Sequence, residues 1–482
     1  MKRTLRQAQR WLYLIHRWIG IATCLLFAMW FFSGVVMMYV GFPALTEAER
    51  RNLLPVIDGR QVRLSPGDAL AAAGLTAWPR ALRLEMMHDE PVYRITGWDH
   101  ARLTVSARDG RRIEGIDAAT AIAIVRRVTD APPVSAAPEE RDQWSVTARY
   151  DPLRPFHLVA LNDPAGTELY VSARTGEIAL DTARSERFWN WLGAVPHWIY
   201  PTVLRAKAVL WRDVVLWLSG PAIIVAVTGI WIGIQRLRPQ RRYKNGAMSP
   251  YRGWMLWHHW AGVVGSLFLL AWIVSGWLSM NPNSWFTGRN TDAAALQRYA
   301  GHTAVDFPLP SIPLADAVEL RFLWVGGAPL VLQHRRDGSV MAAPILSGEA
   351  VFAAAAHLLP EARPVMQQVI AEEDDYWYSH HNQRLFPVLR IGFDDADGTW
   401  FHIDPLSGDI LGRLDDSRRS YRWLFNALHS FDFRFLLRWR PAWDILLWSM
   451  SIVGLAMSVS GVVIGWRHLR RKLRRRQVQV SD

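Results

Sequence analysis

At 482 residues, the chain is longer than one compact core supports, so several folding units are expected. Half of it is apolar and it carries 26 Trp, so long apolar spans must alternate with ordinary water-soluble stretches. The net charge of +12 would suit nucleic acid, but the Lys and Arg gather beside the apolar runs, as membrane orientation requires. The lone Cys24 rules out an intrachain disulfide and any Cys-based zinc or iron–sulfur site.

In chain order, Lys2, Arg3, Arg6 and Arg10 precede a first apolar run, residues 11–42, which is too long for a signal-peptide core and reads as a retained transmembrane helix. Residues 43–210 read as a first extracytoplasmic domain. Within it, Arg102–Ile113 and Leu169–Ile178 alternate like strands around Gly-containing turns, Ala118–Val128 is an amphipathic helix, and Asp130–Pro138 is a flexible connection. A second span, 211–235, and a third, 255–280, flank a short basic loop, 236–254, that holds Arg236, Arg238, Arg241, Arg242 and Lys244. A second extracytoplasmic domain, 281–442, repeats the strand–turn pattern in Trp400–Ile410 and has a helix at Gly348–Leu359. The fourth span, 443–466, leads into a basic tail, 467–482. All three short segments are rich in Lys and Arg, which places them and both termini in the cytoplasm. Asp213 and Asp444 are expected as helix N-caps.

The chain also resembles itself. One offset, His16 to His258, carries Trp18 onto Trp260, Gly20 onto Gly262, Trp30 onto Trp272 and Ser33-Gly34 onto Ser275-Gly276. A second, His197 to His429, carries Trp191-Leu192 onto Trp423-Leu424, Gly229 onto Gly461 and Gly233 onto Gly465. The expected fold is therefore a membrane all-α four-helix transmembrane bundle with α+β extracytoplasmic domains, built as two pseudo-repeated parallel halves.

The turns ending Thr175-Gly176-Glu177-Ile178 and Ser407-Gly408-Asp409-Ile410 resemble the PepSY domain. His16-Arg17-Trp18-Ile19-Gly20, Ser33-Gly34, Trp423-Leu424 with His429, and Ser460-Gly461-Val462-Val463-Ile464-Gly465-Trp466 resemble the PepSY-associated transmembrane family, as does Tyr376–His381 with Asp404-Pro405 and Gly408. That family includes iron-regulated inner-membrane proteins and ferric-siderophore reductases that carry b-type haem between their helices. The resemblance therefore implies a PepSY-like character for both outer domains, the bacterial inner membrane as location, and haem b, two groups by the count of histidine pairs.

His16 and His258 lie about one turn inside the first and third spans, and an ionisable group at that depth calls for a function. Imidazoles from facing helices can hold a haem iron, with His16 and His258 near one membrane face and His197 and His429 near the other. His259 rivals His258, and the sequence leaves that choice open. Arg17 and Arg205 are candidates to neutralise haem propionates. Interfacial anchoring by His among Trp is the competing reading. Glu372–His381 mixes carboxylates, aromatics and imidazoles without regular ligand spacing, and is read first as a structural loop. His157 and His402 are read as structural.

No Walker loop, Gly-x-Gly-x-x-Gly turn or Gly-x-Ser-x-Gly elbow is present, so a flavin or NAD(P)H protein, or a quinol, would have to supply electrons. The leading expectation is an inner-membrane reductase acting on an extracytoplasmic ferric chelate such as a ferric siderophore, with membrane lipid its surroundings. A non-enzymatic membrane-anchored PepSY binding or regulatory module is the first alternative, and a transporter component the second.

Overall fold

The computed structural model describes residues 2–481 except 241, 289, 309–312 and 381–382. Arg241 and His381, singled out above, lie outside the described residues. The chain forms two compact units. One is helical, drawn from Met1–Gly41, Phe188–Phe286 and Ser420–Asp482; the other is built on sheets, from Phe42–Arg187 and Thr287–Arg419.

Four helices in the helical unit, Lys2–Met37, Ala208–Arg236, Trp254–Ser279 and Arg440–Ser481, are long and apolar enough to cross a membrane. The first and last overshoot the apolar runs because their basic flanks contain good helix formers and neither Gly nor Pro to stop them. The first helix packs against the second and fourth, as does the third, which sets the first and third on a diagonal. Phe27, Phe31, Ala222, Val225, Ala226, Leu269, Ile273 and Met457 fill the middle. Asp213 and Asp444 are not caps: the helices begin at Ala208 and Arg440, before either residue. Asp213 pairs with Arg212, whereas Asp444 takes Arg440 and the Tyr39 hydroxyl.

The sheet unit holds fourteen strands among its described residues: β1 Ala81–Met87, β2 Glu90–Thr96, β3 Arg102–Ser106, β4 Pro133–Glu139, β5 Phe156–Leu161, β6 Glu168–Ser172, β7 Ile178–Thr182, β8 Ala317–Val325, β9 Ala328–Arg335, β10 Val340–Ala343, β11 Pro364–Ile370, β12 Val388–Phe393, β13 Trp400–Ile403 and β14 Ile410–Leu414. They form three antiparallel sheets, β10-β9-β8-β1-β2-β3, β4-β5-β6-β7 and β11-β12-β13-β14. The helices expected at Ala118–Val128 and from Gly348 are present, each with a side-chain cap, Asp117 and Ser347.

Two sequence readings change here. Residues 133–139 are not a connection but an edge strand, β4; its prolines sit at an edge, where missing donors leave the ladder intact. The two outer segments also do not fold apart: β1 pairs with β8, Arg83 facing Arg321 and Glu85 facing Glu319, so one central sheet draws three strands from each segment. The reason is burial. Leu82, Leu84, Leu320 and Phe322 lie in a shared core that would be exposed on either half alone.

Candidate functional site

The described residues of the helical unit bring the expected histidines together in two pairs. His16 and His258 face each other with ring centroids 6.4 Å apart, and His197 and His429 with centroids 6.2 Å apart. Seventeen residues separate His16 from Ser33, the latter a contact of His197, so the pairs lie at levels about 25 Å apart along the first helix.

Each ring is received in the same way by a neighbouring helix. His16 Nδ1 lies 3.1 Å from the Val225 carbonyl and 3.3 Å from Thr228 Oγ1, and a Cβ on Gly229 would meet its Cε1 at 2.7 Å. His258 Nδ1 lies 3.0 Å from the Met457 carbonyl and 3.3 Å from Ser460 Oγ, with Gly461 beside its Cε1. His197 and His429 place Nδ1 at 3.1 and 3.0 Å from Ser33 and Ser275 Oγ, beside Gly34 and Gly276. Thus four Ser/Thr-Gly dipeptides hold four imidazoles: the hydroxyl engages one nitrogen, and the glycine leaves the space that a side chain would fill.

These contacts determine the tautomer. A carbonyl only accepts, so Nδ1 of His16 and of His258 carries the proton. The Ser33 and Ser275 hydroxyls donate to the Met29 and Ala271 carbonyls at 2.6 Å and therefore accept from His197 and His429. In all four rings Nε2 keeps its lone pair, the form that binds a metal. An ion about 2 Å from each of two such nitrogens, with ring centres roughly 1 Å behind them, requires centroids about 6 Å apart. Both pairs have that separation.

The backbone around the second pair is shaped to deliver it. His197 ends a short helix, Ala194–His197, that follows a sharp turn at Gly193, and Trp30 Nε1 donates to its carbonyl at 2.9 Å. His429 follows a π-helical turn, Arg422–Ala427, and Phe425 stacks on its ring at 5.0 Å. Such widened turns recur at functional sites.

The rival His259 is spent elsewhere, with Nδ1 2.9 Å from Ser249 Oγ and Nε2 2.9 Å from the Gly233 carbonyl. Arg17 is exposed, with its guanidinium 5.6 Å from the Trp18 ring. Arg205 stacks over Tyr200 and Trp211, and its buried Nε has no partner among the described residues.

In the sheet unit, Asp374 receives the Tyr376 and Trp377 backbone N–H groups and pairs with Arg390 at 2.6 Å, while Glu373 receives the Ser379 N–H. The carboxylates of this segment thus build its own turn. Among the described residues, no three of His, Cys, Asp and Glu converge as a metal-binding group. His402 accepts from Arg390 Nε at 2.8 Å and stacks on Trp377; burial first, then Arg390, pushes it down to about 3. His157 donates its Nε2–H to the Ile116 carbonyl at 2.9 Å.

The sheet unit has a buried constellation of its own. Arg50 bridges Glu85, at 2.8 Å, and Glu319; Arg94 pairs with Glu85 at 2.9 Å, Arg83 with Glu177 at 3.1 Å, and Arg321 with Asp409 at 2.7 Å. Glu177 and Asp409 belong to the two turns that carried the sequence resemblance, so those turn acids anchor each turn to an Arg of the central strands.

The first of the two units, with its four apolar helices, marks a multi-pass membrane protein. The family described as the PepSY-associated TM region matches residues 13–342, more than half of the chain, and the chain belongs to that family. No curated protein matches it.

Proposed function

We propose that this protein is a b-type haem reductase of the bacterial inner membrane that passes electrons from the cytoplasm to an extracytoplasmic ferric chelate, such as a ferric siderophore. The observation that carries the reading is the pair of imidazole pairs: four rings with Nε2 lone pairs, the two rings of each pair about 6 Å apart, at two levels of one helical bundle.

In this reading His16 and His258 hold one haem and His197 and His429 the other. Two imidazoles would hold each haem, which is the number each level provides. The haem supplies a one-electron couple at each level. The protein supplies fixed Nδ1–H tautomers, glycine clearance and an apolar interior that includes Phe27 and Met457. Arg17 and the unpartnered Arg205 Nε offer charge for propionates. Electrons come from an external donor. One-electron reduction of the chelate weakens the hold of its hard oxygen ligands on iron.

The two offsets extend to the contacts themselves. Val225, Thr228 and Gly229 around His16 correspond to Met457, Ser460 and Gly461 around His258. This supports two pseudo-equivalent halves; the basic short segments support both termini in the cytoplasm and the sheet unit in the periplasm.

The test is a visible spectrum of the protein purified from haem-replete cells. The reading predicts reduced-minus-oxidised b-type bands, about half of which disappear in His16→Ala or His258→Ala, and the other half in His197→Ala or His429→Ala. A colourless preparation refutes it and leaves a membrane-anchored binding module.

A further inference from the structure

We infer that the end of the helical unit nearest His16 is a docking surface for an acidic, water-soluble electron-carrier protein. The inference rests on the reading above for the partner's role, and on charge and packing for the surface itself.

Residues 1–18, 236–256 and 467–476 contain 5, 6 and 7 Lys and Arg, 18 together, and no Asp or Glu. The rest of the chain then has 37 of the 55 basic residues against all 43 acids, a net −6, so the whole positive excess of the protein resides at this end. Every one of these Lys and Arg whose side chain is described is exposed.

Three segments are fastened into one surface. Arg236 Nε donates to the Tyr13 hydroxyl at 2.6 Å, and the Tyr243 hydroxyl donates to the Arg236 carbonyl at 3.0 Å, which ties the loop to the first helix. The Lys472 ammonium lies 4.7 Å above the Trp18 ring, whose edge meets His468 at 5.7 Å, tying the last helix to the first. Tyr13 and Trp18 bracket His16 on the same helix, so a carrier seated on this surface is brought up to the His16/His258 level. Orientation in the bilayer accounts for Lys and Arg within about 15–20 residues of a span end, but acids contribute little to it, so it does not require all three segments to lack Asp and Glu. A clustered field without counter-charges speeds the approach of an acidic partner and screens steeply with salt.

The experiment uses the full-length protein in nanodiscs of uncharged lipid, with a purified acidic flavodoxin as probe. Binding of the oxidised probe, read by flavin fluorescence anisotropy, requires no haem, so it reports on docking even from a colourless preparation. Binding is expected to weaken at least tenfold between low and moderately high salt. It is also expected to weaken tenfold or more in a variant carrying Arg467→Gln, Arg470→Gln, Arg471→Gln and Lys472→Gln, and to be retained when the three Arg become Lys. In haem-loaded protein, reduction by flavodoxin should follow the same trend, and reduction by dithionite should not. No binding at low salt, or binding that salt and the four-residue variant leave unchanged, overturns the inference. So does binding confined to vesicles of anionic lipid, which would make the surface a lipid anchor.

Discussion

The two units each bury a polar constellation and complete it differently. In the sheet unit, Glu85, Glu319, Glu177 and Asp409 all meet guanidinium groups, so each acid is matched by opposite charge. In the helical unit, each of four imidazoles uses one nitrogen on a neighbouring helix and keeps the other uncommitted among the described residues. A charge-matched network specifies register; imidazoles half-committed in a fixed direction have bonding capacity left for chemistry. Burial alone therefore does not mark a functional site, whereas unspent valence held in a fixed direction does.

The largest effect that would break this contrast is at the glycines. Gly229→Leu puts a side chain where the His16 ring lies, and Gly461→Leu does the same to His258. Either change should abolish the absorbance assigned to that pair as completely as His→Ala, with helix content by circular dichroism unchanged. Intact absorbance would mean that the rings are not held as described.

Next in size is Arg50→Met, which leaves Glu85 to Arg94 and Arg83 but takes from the buried Glu319 its closest cation. Breaking a buried ion pair in this way costs about 3–5 kcal/mol. A thermal melt should show a loss that Glu319→Gln in the same chain largely restores, because Glu85 keeps Arg94 and Arg83.

The same network predicts a pH dependence. Burial would raise the Glu85 carboxyl, but Arg83, Arg94 and Arg50 outweigh it and hold it down to about 2, from 4.5. A depressed folded value stabilises above the unfolded value and is lost as pH falls, so roughly 3 kcal/mol should disappear between about pH 4.5 and pH 2. A sheet unit equally stable across that interval would show that Glu85 is not ionised when folded.

The smallest contrast lies within the helical unit. Trp30 Nε1 has the His197 carbonyl as partner, whereas the buried Trp272 Nε1 has none among the described residues. Both substitutions lose the same indole volume, so Trp30→Phe should cost about 1 kcal/mol more than Trp272→Phe, read as the difference between their melting temperatures.

Much of this was legible in the chain. The apolar runs predicted the four spans because a bilayer core demands about twenty apolar residues in a row. Ser33-Gly34, Ser275-Gly276, Gly229 and Gly461 were visible as repeated positions, but their task was not. A Ser/Thr-Gly dipeptide acquires meaning only when another helix points a histidine at it, although its recurrence in all four spans was a signal to follow. The Asp130–Pro138 stretch looked like a linker because proline composition is read locally, and edge-strand status depends on a neighbour.

By itself, the sequence determined what local chemistry and length can determine: which segments are apolar enough to span, where the cations lie, and that imidazoles sit near the ends of the spans. Only tertiary structure decided that His258 rather than His259 meets His16, because consecutive helical residues point about 100° apart and packing selects the face. It alone decided that β1 pairs with β8, joining strands more than two hundred residues apart, since such pairing is determined by shared burial and opposed charge and not by any short-range pattern.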